Sequence, residues 1–97
     1  MKTGGEIFWE NVRDCLEYYD YNKSELARIM CFSTDLGVHR KNSASIDNSL
    51  RRFSKENTMP DNIWLLGIRD ALRIIDTDNK DYPVEFSDLL KEGFFKE

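Results

Sequence analysis

The side chains best suited to chemistry in this chain are two cysteines, one histidine and a short run of aspartates. Cys15, Cys31 and His39 are the full complement of cysteine and histidine, which is too few for a four-ligand zinc site. Residues 76–81 include three aspartates, but they lack the glycine and the final glutamate of a calcium loop. We therefore expect no metal site and a solvated acidic turn at 76–81.

Catalysis would require a nucleophile or a base with a suitable partner. Cys31 could act as a thiolate among basic residues, but a small buried residue at a helix end is the commoner arrangement. His39 is followed by Arg40 and Lys41, whose charges lower its basicity. The two glycines at positions 4 and 5 follow no strand, so they do not form a phosphate-binding loop. The sequence therefore predicts a protein that is not an enzyme, with no catalytic residues and no cofactor. A small hydrolase using Cys31 or His39 is the third of three functional hypotheses, after the two given at the end of this section.

Charge is distributed unevenly along the 97 residues. The whole chain carries −4 and has a sequence pI of about 5.0, which by itself argues against a nucleic-acid partner. The window from Lys23 to Lys55 nevertheless holds seven basic and three acidic residues, a local charge of +4, so the remainder carries −8. This split predicts a basic face on an acidic body.

Apolar residues recur at helical spacing along most of the chain, and no segment has the alternation of a strand. Four helices are predicted from four apolar stripes: Phe8, Val12, Leu16 and Tyr19; Leu26 and Ala27 with Ile29 or Met30; Ile46, Leu50 and Phe53; Trp64 or Leu65 with Ile68, Leu72 and Ile75. A fifth segment begins near Pro83 and stops near Gly93. We predict an all-α bundle of four to five helices.

Polar residues mark the predicted helix starts. Asn22 and Glu25 have the spacing of a capping box at the second helix, which is expected to end near residue 30. Ser43 or Ser45 is suited to cap the third helix, and Asp61 the fourth.

The chain has the length of one small domain, residues 1–97. No stretch approaches the roughly 18 apolar residues of a membrane span, and the first six residues lack the apolar core of a signal peptide. We expect a cytoplasmic protein with no membrane segment and free thiols.

Several stretches together carry a family resemblance. They are Phe8–Val12 in the first helix, Lys23–Met30 in the second, Leu50–Phe53 at seven residues before Pro60, and Ile68–Leu72 in the fourth. Their order resembles the helix-turn-helix domain of the Cro and phage-repressor type, the Xre family. The resemblance covers residues 7–76 and leaves 77–97 as a C-terminal extension. It implies a lambda-repressor-like fold.

The chain departs from the family pattern at three places. Cys31 stands where a glycine commonly follows the second helix, and Ser54 follows Phe53 where a glutamate is common. The stretch between the two helices is also much longer than the family's tight turn. Either the loop 34–42 is inserted between the helices, or the recognition helix is extended at its start.

The resemblance implies a role for the third helix, because such domains place that helix in the major groove of DNA. The implied base contacts are Ser45, Asn48, Ser49 and Arg52, and the implied phosphate contacts are Lys23, Arg40, Lys41, Arg51 and Lys55. Asn48 can pair with adenine, and Arg52 can bind guanine or phosphate. Asp47 is repelled by phosphate unless it accepts from a cytosine amine or pairs with Arg51 at i+4. Residues 39–41 are either a basic arm or a loop tip.

The sequence therefore predicts a DNA-binding transcriptional regulator, repressor-like and of phage or prophage type, with no small-molecule ligand. A homodimer is expected to bind an inverted repeat whose half-site centres lie about 34 Å, or a multiple of that distance, apart. The surplus apolar residues after the fourth helix are a candidate dimer surface, or they complete the monomer core: Phe86, Leu89, Leu90, Phe94 and Phe95. The alternative function is a protein–protein interaction module, antitoxin-like or accessory, without DNA binding.

Overall fold

The computed structural model describes residues 2–34, 42–79 and 81–95. Over these residues the protein is all-helical and contains no strand, which confirms the predicted fold class. The helices are α1 (Gly4–Tyr18), α2 (Lys23–Ser33), α3 (Ser43–Glu56), α4 (Asn62–Ile75) and α5 (Phe86–Leu89), with a 3₁₀ turn at Thr77–Asn79. Residues 35–41, which include the predicted phosphate contacts Arg40 and Lys41, lie outside the described residues.

One hydrophobic core joins all five helices. Its fully buried members come from each of them and include Phe8, Leu26, Met30, Ile46, Leu50, Ile68, Leu72 and Leu89. Helix α2 packs against both α3 and α4, and α4 also contacts α1 and α5. The four predicted apolar stripes all face this core; their partly exposed members, such as Tyr19 and Phe53, pack against its edge.

Two capping boxes begin the first two helices. The predicted box at α2 is confirmed, since the backbone N–H of Glu25 donates to the Asn22 side chain at 2.9 Å. A second box begins α1, where the N–H of Glu6 donates to the Thr3 hydroxyl at 3.2 Å. Helix α1 therefore includes the two glycines at 4 and 5, ahead of the first predicted apolar residue, Phe8.

The starts of α3 and α4 differ from prediction. Asn42 caps α3 by accepting from the N–H of Ala44 at 2.9 Å, so Ser43 and Ser45 lie inside the helix and do not cap it. Asp61 occupies the cap position of α4 as expected, but its side chain makes no capping hydrogen bond. An Asn side chain one residue earlier satisfies the first turn of α3 as well as a serine would.

Helix α2 is longer than predicted, because it continues through Cys31 to Ser33. The Cys31 side chain is buried against the core, so packing extends the helix past the point where local polarity suggested a break. Cys31 is thus a small buried residue near a helix end, which is the arrangement expected of a packing residue rather than of a reactive thiolate.

The turn after α4 is not fully solvated, contrary to prediction. Asp76 is only 3% exposed and accepts a hydrogen bond from the Tyr19 hydroxyl. Buried carboxylates normally require such partners. The acidic turn is therefore part of the packed structure at its first residue.

The C-terminal segment folds back onto α1 and α4. The Asn11 side chain, which is fully buried, donates to the backbone carbonyls of Leu89 and Lys91, both at 2.8 Å. Arg73 Nε donates to the Val84 carbonyl at 2.7 Å. The short helix in this segment begins at Phe86 rather than near Pro83, and at its start the Glu85 backbone N–H donates to the Asp88 carboxylate at 3.1 Å.

Candidate nucleic-acid interface

Helix α3 is held to the body of the protein by one apolar face. Ile46 and Leu50 are fully buried in the core, and Ser54 is buried one turn later. At the edge of this face Phe53 makes an edge-to-face contact with Trp64 of α4, with ring centroids 5.3 Å apart. The core therefore sets which side chains of α3 face solvent.

The opposite face of α3 is polar and mostly basic. Asn48, Arg51, Arg52 and Lys55 are all exposed, and their spacing of three and four residues places them on one side of the helix. Four of the nine predicted DNA-contact residues are thus brought together on a single surface, which we call the outer face of α3.

Asp47 lies beside this outer face and is already paired. Its carboxylate accepts from Arg51 Nε at 3.1 Å, an i,i+4 ion pair, and from the Ser24 hydroxyl at 3.2 Å. The pairing with Arg51 was one of the two arrangements expected for this residue. It also joins the start of α2 to the middle of α3, which sequence spacing alone did not indicate.

The remaining predicted base contacts differ in position. Arg52 points outward, and its guanidinium carbon lies 5.1 Å from the centroid of the Phe53 ring, within cation–π range. Ser45 and Ser49 are half-buried and lie along one edge of the helix. Asn48 and Arg52 are therefore the most exposed side chains among the four predicted base contacts.

A shallow depression of about 430 Å³ adjoins the outer face where α1, α2 and α3 meet. Its charged lining combines four basic and two acidic side chains: Arg13, Lys23, Arg51, Lys55, Glu6 and Glu10. Glu10 also binds Lys2, with a separation of 2.9 Å. Lys23, Arg51 and Lys55, three of the predicted phosphate contacts, thus line the same depression. Arg13 was missed by sequence reasoning, because its proximity to α3 depends on helix packing.

The predicted dimer residues divide between core and surface. Leu89 is fully buried within the chain, while Phe86 and Phe94 pack against the core and are partly buried. Phe94 also stacks edge-to-face on Phe95 at 4.9 Å. Leu90, at 38% exposed, is the residue of this group that presents the most accessible apolar side chain. Of the two alternatives, a dimer surface or a part of the monomer core, the structure shows that this segment contributes to the monomer core.

Both cysteines are buried in the structure, and His39, the other group considered for catalysis, lies outside the described residues. Burial, followed by the charge of Asp76, raises the pKa of the Cys15 thiol to about 12, so this thiol stays protonated at neutral pH. Within the described ranges, no three His, Cys, Asp or Glu side chains are grouped so as to hold a metal ion. No helix in that part of the chain has the length and apolar character needed to cross a membrane.

Comparison with protein-family models, curated proteins and solved structures finds no significant match to this chain. The chemistry of the outer face of α3 is therefore the starting point for a function.

Proposed function

We propose that this chain is a sequence-specific DNA-binding protein, a small cytoplasmic transcription regulator of the repressor-like, phage type. It acts by binding, with no catalysis and no cofactor. The observation that carries the proposal is the outer face of α3, where an amide and three cationic side chains project from a helix whose other face is anchored in the core. The Xre-type resemblance of the sequence supports the same proposal.

The dimensions of α3 suit the major groove, which is wide enough to admit one α-helix. Asn48 and Arg52 are separated by four residues, a rise of about 6 Å, and so reach across about two base-pair steps at 3.4 Å each. The Asn48 amide can donate to and accept from adenine, and the Arg52 guanidinium can bind guanine. These two side chains are the proposed readers of sequence.

Electrostatics support an approach by α3 rather than by another surface. Asp47, the one carboxylate near the middle of the helix, is neutralised by Arg51. Lys55 and Lys23 then add positive charge beside the reading side chains, where the DNA backbone passes. Because the chain as a whole carries −4, its other surfaces repel DNA and favour this orientation.

The test is selection from random duplex DNA at two salt concentrations. We expect the wild type to select one sequence, and Arg52→Ala or Asn48→Ala to weaken its preference at one or two base pairs, by about 1–3 kcal/mol each. Arg28→Ala is the matched control, since Arg28 is an exposed arginine on α2 outside the proposed interface. The control variant is expected to select the same sequence as the wild type.

Salt dependence separates phosphate contacts from base contacts. Lys55→Ala is expected to weaken binding to all sequences alike and to reduce the slope of log K against log salt by about one. Unselective binding that disappears at moderate salt, and is unchanged by Arg52→Ala, would contradict the proposal. It would favour the interaction-module alternative.

A further inference from the structure

The outward side of α4 carries an apolar stripe, and none of the described residues covers it. Ile63, Leu66 and Ile74 are 37%, 49% and 49% exposed, and together with Asp70 they occupy positions that fall on one side of a helix. We call these four residues the α4 stripe. Three large aliphatic side chains on one line are unusual for a solvent-facing helix surface.

The other side of α4 is also apolar. Trp64, Ile68 and Leu72 are buried against the rest of the bundle. Helix α4 also holds three charged residues, Arg69, Asp70 and Arg73, so the α4 stripe is a second, narrower apolar strip on an amphipathic helix. The bundle covers one side of α4 and leaves the α4 stripe available for a partner.

The middle of the stripe is charged but locally neutral. Arg69 binds its neighbour Asp70 through Nε at 3.2 Å and Nη2 at 3.0 Å, both to the same carboxylate oxygen, Oδ1. The second oxygen of Asp70 and the remaining guanidinium N–H groups stay available for another molecule. A surface that offers both an arginine donor and a carboxylate acceptor at one point is complementary in charge to a copy of itself.

We propose that a second copy of this chain covers the α4 stripe, with the two α4 helices packed antiparallel about a two-fold axis. The stripe runs for about 16 Å, from residue 63 to residue 74. An axis through its middle, level with residues 68 and 69, sets Ile63 against the partner's Ile74 and brings Arg69 near the partner's Asp70. The same contacts then occur twice, as an isologous interface requires.

The proposal rests in part on the proposed function, since binding to an inverted repeat requires two copies. The apolar patch is small compared with the roughly 800 Å² per partner of a standard interface. We therefore expect a weak dimer in free solution, which binding to two adjacent half-sites strengthens through effective concentration. The interface nonetheless exists without DNA and is measurable without it.

Sedimentation equilibrium of the full chain without DNA tests whether the stripe is the interface. The wild type is expected to shift from 11.5 kDa toward twice that mass as concentration rises into the high micromolar range. Leu66→Glu is expected to raise the dimer Kd at least about tenfold. Tyr82→Glu is the matched control, because Tyr82 is 85% exposed and lies outside the stripe. A wild type that stays monomeric throughout, or a dimer unaffected by Leu66→Glu, would overturn the proposal.

Disulfide crosslinking tests the antiparallel arrangement independently of the glutamate variant. An equimolar mixture of Ile63→Cys and Ile74→Cys is expected to form a disulfide-linked dimer under mild oxidation, whereas either variant alone is not. The native thiols, Cys15 and Cys31, are buried, and the wild type serves as their control. Equal crosslinking by single variants and mixture would contradict the two-fold geometry. A dimer that forms but selects no DNA sequence would leave this inference standing and remove the proposed function.

Discussion

Tyr19 and Cys15 surround a buried carboxylate at the end of α4. The Tyr19 hydroxyl donates to Asp76 Oδ1 at 2.5 Å, and Asp76 is 3% exposed. Partial burial, and then this hydrogen bond, raise the pKa of Tyr19 above its ordinary value. The pKa of Cys15 rises to about 12 through burial and the charge of Asp76. Both groups are therefore held in their protonated forms by the fold.

These shifts make the stability of the protein fall at alkaline pH. In the unfolded chain a thiol ionises near pH 8.5 and a phenol near pH 10, whereas in the folded chain both pKa values are higher. The contribution to stability is thus complete below about pH 8.5, and it is lost as pH rises through the folded pKa of about 12 for Cys15.

Tyr19→Phe tests this cluster. We expect it to lower the free energy of unfolding at pH 7 by about 1–2 kcal/mol, because Asp76 loses a donor, and to make the decline above pH 9 shallower. Urea titrations between pH 7 and 10.5 measure both effects. Tyr18→Phe is the matched control, since Tyr18 is largely exposed. If Tyr19→Phe and Tyr18→Phe had the same unfolding free energy and the same pH dependence, the hydrogen bond from Tyr19 to Asp76 would not contribute to stability.

At the scale of elements, the first two turns of α1 are docked onto the turn between α3 and α4. Trp9 Nε1 donates to the Thr58 carbonyl at 2.7 Å, and Asn57 in the same turn has a left-handed backbone with φ of +53°. A Cβ added to Gly5 would lie 1.9 Å from the Asn57 carbonyl oxygen. Only glycine allows the helix and the turn to come this close.

Two adjacent substitutions therefore have opposite expected effects. Gly5→Ala must push α1 away from the turn and is expected to cost about 1–3 kcal/mol or more, as overpacking does. At Gly4 the nearest atom to an added Cβ, the Met59 methyl carbon, is 3.7 Å away. Gly4→Ala is expected to be neutral or stabilising by up to about 1 kcal/mol. Thermal unfolding measures both, and equal effects would show that the close approach is not needed.

The capping boxes of α1 and α2 show where the local sequence was sufficient to predict a helix start and where it was not. The capping box of Asn22 and Glu25 was predicted from spacing, and Thr3 with Glu6 has the same spacing. The second box was missed because the glycines at 4 and 5 disfavour helix in a local view. The reason for a glycine at position 5 is its close approach to Asn57, which lies more than fifty residues away in sequence.

At the scale of the whole molecule, the C-terminal segment completes the core. Leu89→Ala is expected to cost about 2–5 kcal/mol, because the side chain is fully buried and its loss leaves a cavity. Leu90→Ala is expected to cost less than about 1 kcal/mol, since that side chain is 38% exposed. Urea unfolding distinguishes the two. A small effect at Leu89 would mean that the segment is not part of the folded core.

Helix number, apolar stripes and one of the capping boxes were determined by the sequence alone. These features follow from periodicity and from hydrogen bonds between residues at most four positions apart, and such signals are present in any short window of the chain. Asn48 and Arg52, two of the residues predicted to read DNA, also share the outer face of α3 for this reason. Their function stays a prediction.

Only the tertiary structure decided how those elements meet. The bond from Ser24 to Asp47, the burial of Asp76 behind Tyr19 and the folding of Leu89 into the core join residues that are far apart in sequence. The α4 stripe became visible in the same way, because packing determined which of the apolar residues of α4 stayed exposed. Such contacts depend on how side-chain volumes fit together across helices, and no local pattern encodes that fit.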